Sequence, residues 1–318
     1  MNPIRHALAA LARYGIFVAL VVEFALFSIW SPNFFSTGNQ LNVLHQNAPI
    51  LVLAIGMTFV ILTAGIDLSV GSVVALTAVG AAQLAVLDWE PIGLRVAVAV
   101  IGGALLGAIC GMVNGLVITK VRIPPFVATL AMMLVAKGAV LIATDARPIS
   151  QGLPDLFERL GQGGGASALI HVSAMLALFV VAWVVLRFTA FGKHVYAVGN
   201  NPEAAHLCGI RVPRVLVAVY LGCGLLAGIG GTMLATQLDS GDPKLGELME
   251  LDAIAAVVVG GTSLMGGRGS IWGTLAGGLL IAYLKNYLTL EGLPFFWQKV
   301  VIGVALILAA FLDRFRSE

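Results

Sequence analysis

The chain has 318 residues, of which 59% are hydrophobic and 11% are charged, and its mean hydropathy is +0.98. Soluble chains contain about 45–50% apolar and about 25% charged residues, so this composition excludes a soluble protein and a separate soluble domain. A membrane-spanning helix needs roughly 20 apolar residues. The length therefore predicts an all-α, polytopic membrane protein of about ten transmembrane helices in one domain over residues 1–318. The net charge of +2 does not indicate nucleic acid as a partner.

Ten apolar runs are predicted to cross the membrane. The first, Tyr14–Trp30, follows Arg5 and Arg13, and no small-residue cleavage signature follows it, so we expect a retained span rather than a signal peptide. The other spans are predicted at 48–66, 68–87, 96–118, 126–143, 168–186, 215–236, 252–265, 270–290 and 297–312.

Basic residues are distributed unevenly among the connecting loops. If the N-terminus is cytoplasmic, eleven of the 18 Lys and Arg residues fall in inside segments. Cytoplasmic loops carry an excess of Lys and Arg, so both termini are expected in the cytoplasm. The loop 187–214 is then inside, and the loops at about 144–167 and 237–251 are outside.

The eighth predicted span runs into a glycine-rich stretch, 260–269. Irregular backbone at membrane depth is tolerated only where it is buried in protein or faces a watery cavity. The stretch is therefore predicted either to break the span inside the bundle or to form a tight cytoplasmic turn.

Two spans carry glycine at every fourth residue, a spacing that places the glycines on one helix face and favours close helix packing. Each series leads to a proline-aromatic sequence, which suggests a five-plus-five inverted repeat. The two series are Gly103, Gly107, Gly111 and Gly115 before Pro124-Pro125-Phe126, and Gly269, Gly273 and Gly277 before Pro294-Phe295-Phe296.

Four ionisable residues lie within the apolar runs: Glu23, Asp67, Lys137 and Lys285. An ionised group at the bilayer centre costs about 2.5–3.5 kcal/mol, so each needs a partner, water or an interfacial position. Lys137 and Lys285 lie several residues from the outer ends of their spans and are expected to extend their ammonium groups to the interface. Glu23 lies nearer mid-span and is expected to pair with a lysine of a neighbouring helix or to face a cavity.

Asp67 lies in an unusually polar part of an apolar stretch, close to Thr63 and Ser69. Its carboxylate can cap the helix that follows, because the first turn of a helix has N–H groups without partners. The same residues can instead line a polar passage or its gate, and the two roles are compatible. Thr262 and Ser263 of the glycine-rich stretch are the other candidates for the passage or gate.

The loop 187–214 is predicted to contain a short amphipathic helix. Asn201 can cap it, Pro202 suits its first position, and Glu203 suits the positive end of the helix dipole. Gly209 is expected to end it. Such a helix is either a connector or a lever on which a cytoplasmic subunit pushes.

Several segments together resemble the ribose-type permeases of bacterial ATP-binding-cassette (ABC) sugar importers. The resemblance covers nearly the whole chain. Its segments are Gly56–Thr63 with Gly65–Ser72, Asn201–Ala205, Glu250–Leu264 with Gly266–Gly269, Arg122–Phe126, and Ser31–Phe35.

The resemblance implies a permease subunit, not an enzyme, in a bacterial inner membrane. It implies a second permease copy, identical or related, surrounding lipid, a cytoplasmic ABC ATPase, and a periplasmic or lipid-anchored sugar-binding protein. No cofactor is expected on this chain, and ATP and Mg are used by the partner ATPase. The residues that the resemblance assigns to ATPase coupling are Gly199, Asn200, Asn201, Pro202, Glu203, Ala204, Ala205 and Gly209.

Three further observations are consistent with this assignment. The sequence contains no G-x-x-x-x-G-K-[ST] phosphate loop, so uphill transport must take its energy from elsewhere. The three cysteines, Cys110, Cys208 and Cys223, lack the spacing of a metal site. An acidic outside loop either docks a binding protein or is a solvated charged loop. Its acidic residues are Asp239, Asp242, Glu247 and Glu250.

Two other classes of function are weaker alternatives. An ion-coupled secondary sugar transporter requires ionisable groups at the bilayer midplane, and only Glu23 is a plausible mid-span acid. A membrane-embedded hydrolase requires a nucleophile, a base and an orienting group to converge. The histidines show no such spacing; they are His6, His45, His171, His194 and His206.

Overall fold

A computed structural model describes residues 3–162, 165–294 and 296–304, with side chains from Gly15 onward. Apart from one isolated bridge between Ile149 and Gly241, the regular structure of these residues is helical. The helices are α1 (Pro3–Trp30), α2 (Thr37–Leu62), α3 (Val70–Val86), α4 (Ile92–Leu116), α5 (Pro125–Thr144), α6 (Asp155–Gln162), α7 (Gly165–Phe188), α8 (Ala190–Asn200), α9 (Pro202–Leu207), α10 (Val212–Leu238), α11 (Met249–Val259) and α12 (Ile271–Leu290), followed by helical residues 296–304.

The prediction of an all-α, polytopic membrane protein is confirmed. Seven apolar helical segments stand out among the described residues, and five of them are long and apolar enough to cross a membrane. Those five are Thr37–Leu62, Ile92–Val121, Pro125–Thr144, Gly165–Phe188 and Val212–Leu238, and the two shorter segments are Gly15–Trp30 and Val70–Val86. The tenth predicted span, 297–312, is described only to residue 304, and the remainder lies outside the described residues.

The second predicted span is longer at its start than hydropathy indicates. Helix α2 begins at Thr37 rather than at residue 48, because the Ser36 hydroxyl caps it by accepting the Asn39 N–H at 3.3 Å. The Asn39 side chain also exchanges hydrogen bonds of 2.9 Å with Asn286 of α12. A hydropathy average counts these polar side chains as unfavourable in the membrane, because it does not include their hydrogen bonds to a neighbouring helix. The prediction therefore missed the first turns of α2.

Helices α2 and α10 pack against each other at the centre of the bundle. Helix α10 also packs on α3 and α4, and α2 packs on α11 and α12, while α1 packs on α12 at the periphery. Each central helix thus contacts a pair of helices from the other half of the chain. This exchange is compatible with a five-plus-five repeat, and the repeat itself stays a prediction.

The glycines of the fourth span lie against α10, as their spacing predicts. A Cβ atom on Gly107 would come within 2.8 Å of the Gly228 backbone, and one on Gly115 within 2.7 Å of the Val217 backbone. In return, Gly224 of α10 faces Gly111. The two backbones are in direct contact, which supplies the van der Waals attraction that holds helices together where lipid gives no hydrophobic drive.

The bundle has two ends, which we name by the short helices they carry. The α9 end holds α8, α9, residues 62–65 and the loop 260–270. The α6 end holds α6, the loop 145–154 and residues 239–242, where Ile149 and Gly241 exchange backbone hydrogen bonds of 3.0 and 2.9 Å. The distribution of Lys and Arg among the loops predicts that the α9 end is cytoplasmic.

The eighth span is shorter than predicted. Helix α11 has 11 residues and is about 16 Å long, roughly half of the 30 Å that a bilayer core requires. The predicted range 252–265 is wrong at its end, because the helix stops at Val259 and both Leu264 and Met265 are exposed in the loop, at 50% and 84%. Of the two alternatives, the turn at the end of the bundle agrees with this exposure.

The segment before α11 returns into the bundle from the α6 end. Residues 239–248 follow α3, with Gly241 against Val79 and Gly246 against Val74 and the start of α3. Helices α3 and α11 therefore begin next to each other inside the bundle, and this arrangement positions the polar groups described below.

Candidate functional site

Three segments meet at the α9 end. The Gly267 N–H donates to the Leu62 carbonyl at 2.9 Å, which joins the glycine-rich loop to the end of α2. The Tyr196 hydroxyl of α8 donates to the Gly269 carbonyl at 3.1 Å. Gly199 of α8 packs on both Leu62 and Gly267, where a side chain would not fit. Helix α8 is thus bound to the loops that close this end of the bundle.

Helix α9 forms as the sequence predicts. The Asn201 side chain accepts the Ala204 N–H at 2.9 Å, Pro202 occupies the first turn, and Gly209 has a φ of +84° just after the helix. Glu203 is exposed, and Leu207 is 87% exposed. An exposed leucine beside an exposed carboxylate is available for contact with another protein.

The predicted coupling residues divide by burial. Gly199 and Ala205 are buried and attach the two helices to the bundle, whereas the remaining six are exposed on the surface of the α9 end. Those six are Asn200, Asn201, Pro202, Glu203, Ala204 and Gly209.

Asp67 is buried, with 1% exposure, and binds the residues that start α3. Its Oδ1 atom accepts the Ser69 N–H at 2.9 Å and the Ser69 hydroxyl at 2.6 Å. The Ser69 hydroxyl in turn accepts the Asn114 amide of α4 at 2.9 Å. The predicted cap is wrong in its position: the carboxylate binds the N-cap residue Ser69 rather than an N–H of the first turn, because α3 begins at Val70.

Replacing Asp67 with alanine is expected to destabilise the protein by about 1–3 kcal/mol, because the buried Ser69 N–H loses its acceptor. Asparagine keeps an acceptor oxygen there, so Asp67→Asn should lose less. Thermal unfolding of the two variants in the same detergent measures the difference, and equal losses would contradict the capping role.

The other predicted gate residues lie near the α9 end. Thr63 and Thr262 are buried, at 8% and 1% exposure, and Ser263 is half-buried. The Thr63 hydroxyl donates to the Val60 carbonyl at 2.8 Å, whereas the buried Thr262 hydroxyl has no partner in the described part of the chain. Ala64 touches Gly266, so the segments that carry these three residues are in contact.

Both intramembrane lysines form ion pairs, which were not predicted from the sequence, while their extension to the interface stays a prediction. Lys137 of α5 lies 2.9 Å from Glu247 and donates to the Pro243 carbonyl at 3.1 Å. Lys285 of α12 lies 2.9 Å from Asp252 at the start of α11. Lys137 therefore holds the segment that returns into the bundle and Lys285 holds the first turn of α11, an arrangement that sequence distance could not reveal.

Lys285→Met is expected to destabilise the protein by about 1–3 kcal/mol, because the Asp252 carboxylate is left without its cation in a site where it is only 22% exposed. The double variant Lys285→Met with Asp252→Asn should recover part of the loss. Unfolding in detergent tests this coupling, and additive losses would show that the pair does not interact.

Glu23 makes no ion pair among the described residues, and its Oε2 atom is buried without a hydrogen bond. Of the two environments expected for Glu23, a lysine partner is therefore absent from this part of the chain, and a cavity stays a prediction.

The four acidic residues of the predicted outside loop do not form one cluster. Asp239 ends α10, and burial raises the pKa of its carboxyl group. Asp242 accepts the Lys244 N–H at 2.8 Å within its own turn. Glu247 lies at the end of the returning segment beside Lys137, and Glu250 lies in the first turn of α11 beside the start of α3.

Two cavities were not anticipated from the sequence. One, of about 660 Å³, opens at the α6 end and is lined by polar residues that include Asn42, Gln46 and Gln237. His45, also in its wall, lies 3.1 Å from His171. The other, of about 360 Å³, lies between α3, α5 and the returning segment. The predicted gate residues line neither cavity.

Apolar helices around charged, glycine-broken segments define a multi-pass membrane protein. A family model described as "branched-chain amino acid transport system / permease component" matches residues 39–310. The chain belongs to this permease family.

Relatives of known role match almost the whole chain. Ribose import permeases are 41% identical over 302 residues in Haemophilus influenzae (94% of this chain and 92% of the relative) and 44% identical over 313 residues in Bacillus subtilis (98% and 96%). The fructose import permease of Rhizobium meliloti is 36% identical over 306 residues (93% and 84%). No solved structure matches. The predicted resemblance to ribose-type permeases is confirmed.

Proposed function

We propose that this chain is the membrane-spanning subunit of an ABC importer that carries a monosaccharide or a related small polyol across the bacterial inner membrane. The observation that carries the proposal is the identity of 41–44% with ribose import permeases over more than nine-tenths of the chain. Fructose and arabinose permeases match at 36% and 37%, which supports the sugar class rather than one particular sugar.

The importer would contain a second permease copy, identical or related, and a cytoplasmic ABC ATPase that uses ATP and Mg. A periplasmic or lipid-anchored sugar-binding protein would deliver the sugar at the α6 end, where Asp239 and Asp242 are candidate docking residues. Both termini and the α9 end would be cytoplasmic.

Helix α9 would receive the movement of the ATPase. Its exposed Glu203 and Leu207 are the contact candidates, and α8 connects it to Leu62 and Gly267. Displacement of α8 would therefore act on the loops that carry Thr63, Thr262 and Ser263, which we propose as parts of the inner gate. Asp67 and Ser69 would hold the start of α3 while these loops move.

Substrate chemistry is not part of this proposal. The sugar leaves unchanged, and a passage that binds it too tightly would slow its release. Few polar groups along the passage are therefore sufficient.

Purification from the native membrane in mild detergent, followed by reconstitution with the co-purifying subunits, tests the function. We expect an ATPase to co-purify and ATP to drive uptake of ribose, fructose or arabinose into proteoliposomes. An ion-coupled transporter, which a Glu23 carboxyl group without a partner among the described residues would suit, predicts instead that the purified chain alone concentrates sugar on a proton or sodium gradient without ATP.

A further inference from the structure

The cavity between α3, α5 and the returning segment contains an unusual set of groups for a membrane protein. Its polar lining residues are Ser72, Lys137, Glu247 and Glu250, and Met133 and Leu134 of α5 form part of its apolar wall. The Ser72 hydroxyl makes no hydrogen bond within the described chain, although it is part of the cavity wall.

This cavity lies between the two ends of α5, at membrane depth. Lys137 is seven residues from one end of α5 and twelve from the other, or about 10 Å and about 18 Å along the helix. The Glu247 side chain is nevertheless 64% exposed. A charged group cannot face hydrocarbon at this depth without a large cost, so the cavity must open into water.

The surface around the cavity is apolar. Helix α5 exposes large hydrophobic side chains on the face that carries Leu134, which is itself 64% exposed. The others are Phe126, Val127, Val135 and Ile142. A charged, water-filled cavity within an apolar face at membrane depth must be shielded from lipid by another protein surface. In an importer of the proposed class, the second permease copy can supply that surface.

We infer that this cavity is a sugar-binding subsite of the transport passage, completed by the second permease copy, and that it takes neutral monosaccharides. This inference rests on the proposed function and assigns a place and a set of side chains to it.

The side chains suit a neutral polyol. Sugar hydroxyl groups both donate and accept, and the cavity offers carboxylates that accept, an ammonium group that donates and a serine hydroxyl that does either. The charges of Lys137 and Glu247 cancel because the two side chains form an ion pair. Glu250 therefore gives the lining a formal charge of minus one. That charge repels phosphorylated and acidic sugars. The existing ion pair also limits affinity, as a passage requires.

Sugar protection of a cysteine tests occupancy directly. The full importer carrying Ser72→Cys, in a Cys208→Ser background that removes the exposed thiol, is labelled with a neutral methanethiosulfonate reagent. Millimolar ribose, fructose or arabinose, whichever the wild type transports, should slow labelling at position 72 at least about threefold, whereas ribose 5-phosphate should not. Ser150→Cys, exposed in the loop 145–154 and not part of the cavity wall, should label at one rate throughout.

Blocking the cavity tests its place in transport. Ser72→Leu should reduce ATP-driven uptake by about tenfold or more, while ATP hydrolysis stays within about twofold of wild type. Ser173→Leu is the matched control for an added apolar side chain. If Ser72→Leu does not fold, uptake by the Ser72→Cys importer before and after modification gives the same comparison on one folded sample.

The inference is overturned if uptake is unchanged after the cavity is filled, or if no transported sugar slows labelling at position 72. The proposed function stays intact in both cases as long as the wild type shows ATP-driven uptake. Absence of ATP-driven uptake in the wild type itself refutes the proposed function instead.

Discussion

Replacing Glu203 with arginine is expected to separate this chain from its ATPase and to stop ATP-driven uptake. Glu203 is exposed in the first turn of α9, where its carboxylate stabilises the helix start and faces any docked protein. Charge reversal at the centre of a contact costs about 2 kcal/mol or more, which corresponds to roughly a 30-fold loss of affinity. Co-purification of the ATPase with the variant measures the loss.

A second short helix provides the control for Glu203. Glu158 is an exposed carboxylate in the first turn of α6, at the opposite end of the bundle. Glu158→Arg changes the same charge beside the same kind of helix dipole and should leave ATPase binding unchanged. Equal effects of the two reversals, or normal coupling with Glu203→Arg, would show that α9 is a connector rather than a lever.

Replacing Gly224 with alanine is expected to disrupt the contact between α10 and α4. A Cβ atom there would lie 2.7 Å from the Gly111 nitrogen and 2.8 Å from its Cα, both backbone atoms that cannot turn away. The two helices must move apart, at an expected cost of about 1–3 kcal/mol. Lower thermal stability in detergent and a lower yield of monodisperse protein are the measurements.

Gly222 is the matched position for this test. It lies two residues away on α10, and a Cβ atom there would meet nothing within 4 Å. Gly222→Ala should be neutral or stabilise by about 0.5–1 kcal/mol, because alanine is the better helix former. If both alanine variants behaved alike, the close contact between the helices would not limit stability.

Much of the fold could be predicted from the sequence because its signals are local. Long apolar runs place the membrane-spanning helices, and the order Asn201, Pro202, Glu203 with Gly209 predicts α9 to within a residue. Glycine at every fourth position in α4 predicts a close helix contact. Propensity, capping and hydropathy act over a few residues, so they can be evaluated without knowing the partner helix.

The candidate sites were predicted less completely because they join distant parts of the chain. Lys137 and Glu247 are 110 residues apart, and Asp67 reaches α4 through Ser69 and Asn114, 45 residues further on. Nothing in the sequence around Ser72 indicates a cavity, since its wall consists of helices from different parts of the chain.

The sequence by itself determined that this protein is a helical membrane permease with a capped helix exposed in the loop 187–214. Only the tertiary structure decided that the two intramembrane lysines bind the segment before α11 and the first turn of α11, and that α3 and α11 begin together inside the bundle. The physical reason is that a charged side chain at membrane depth needs a counter-ion or water beside it. Which of these lies beside it depends on how the helices pack, and the local sequence does not determine that packing.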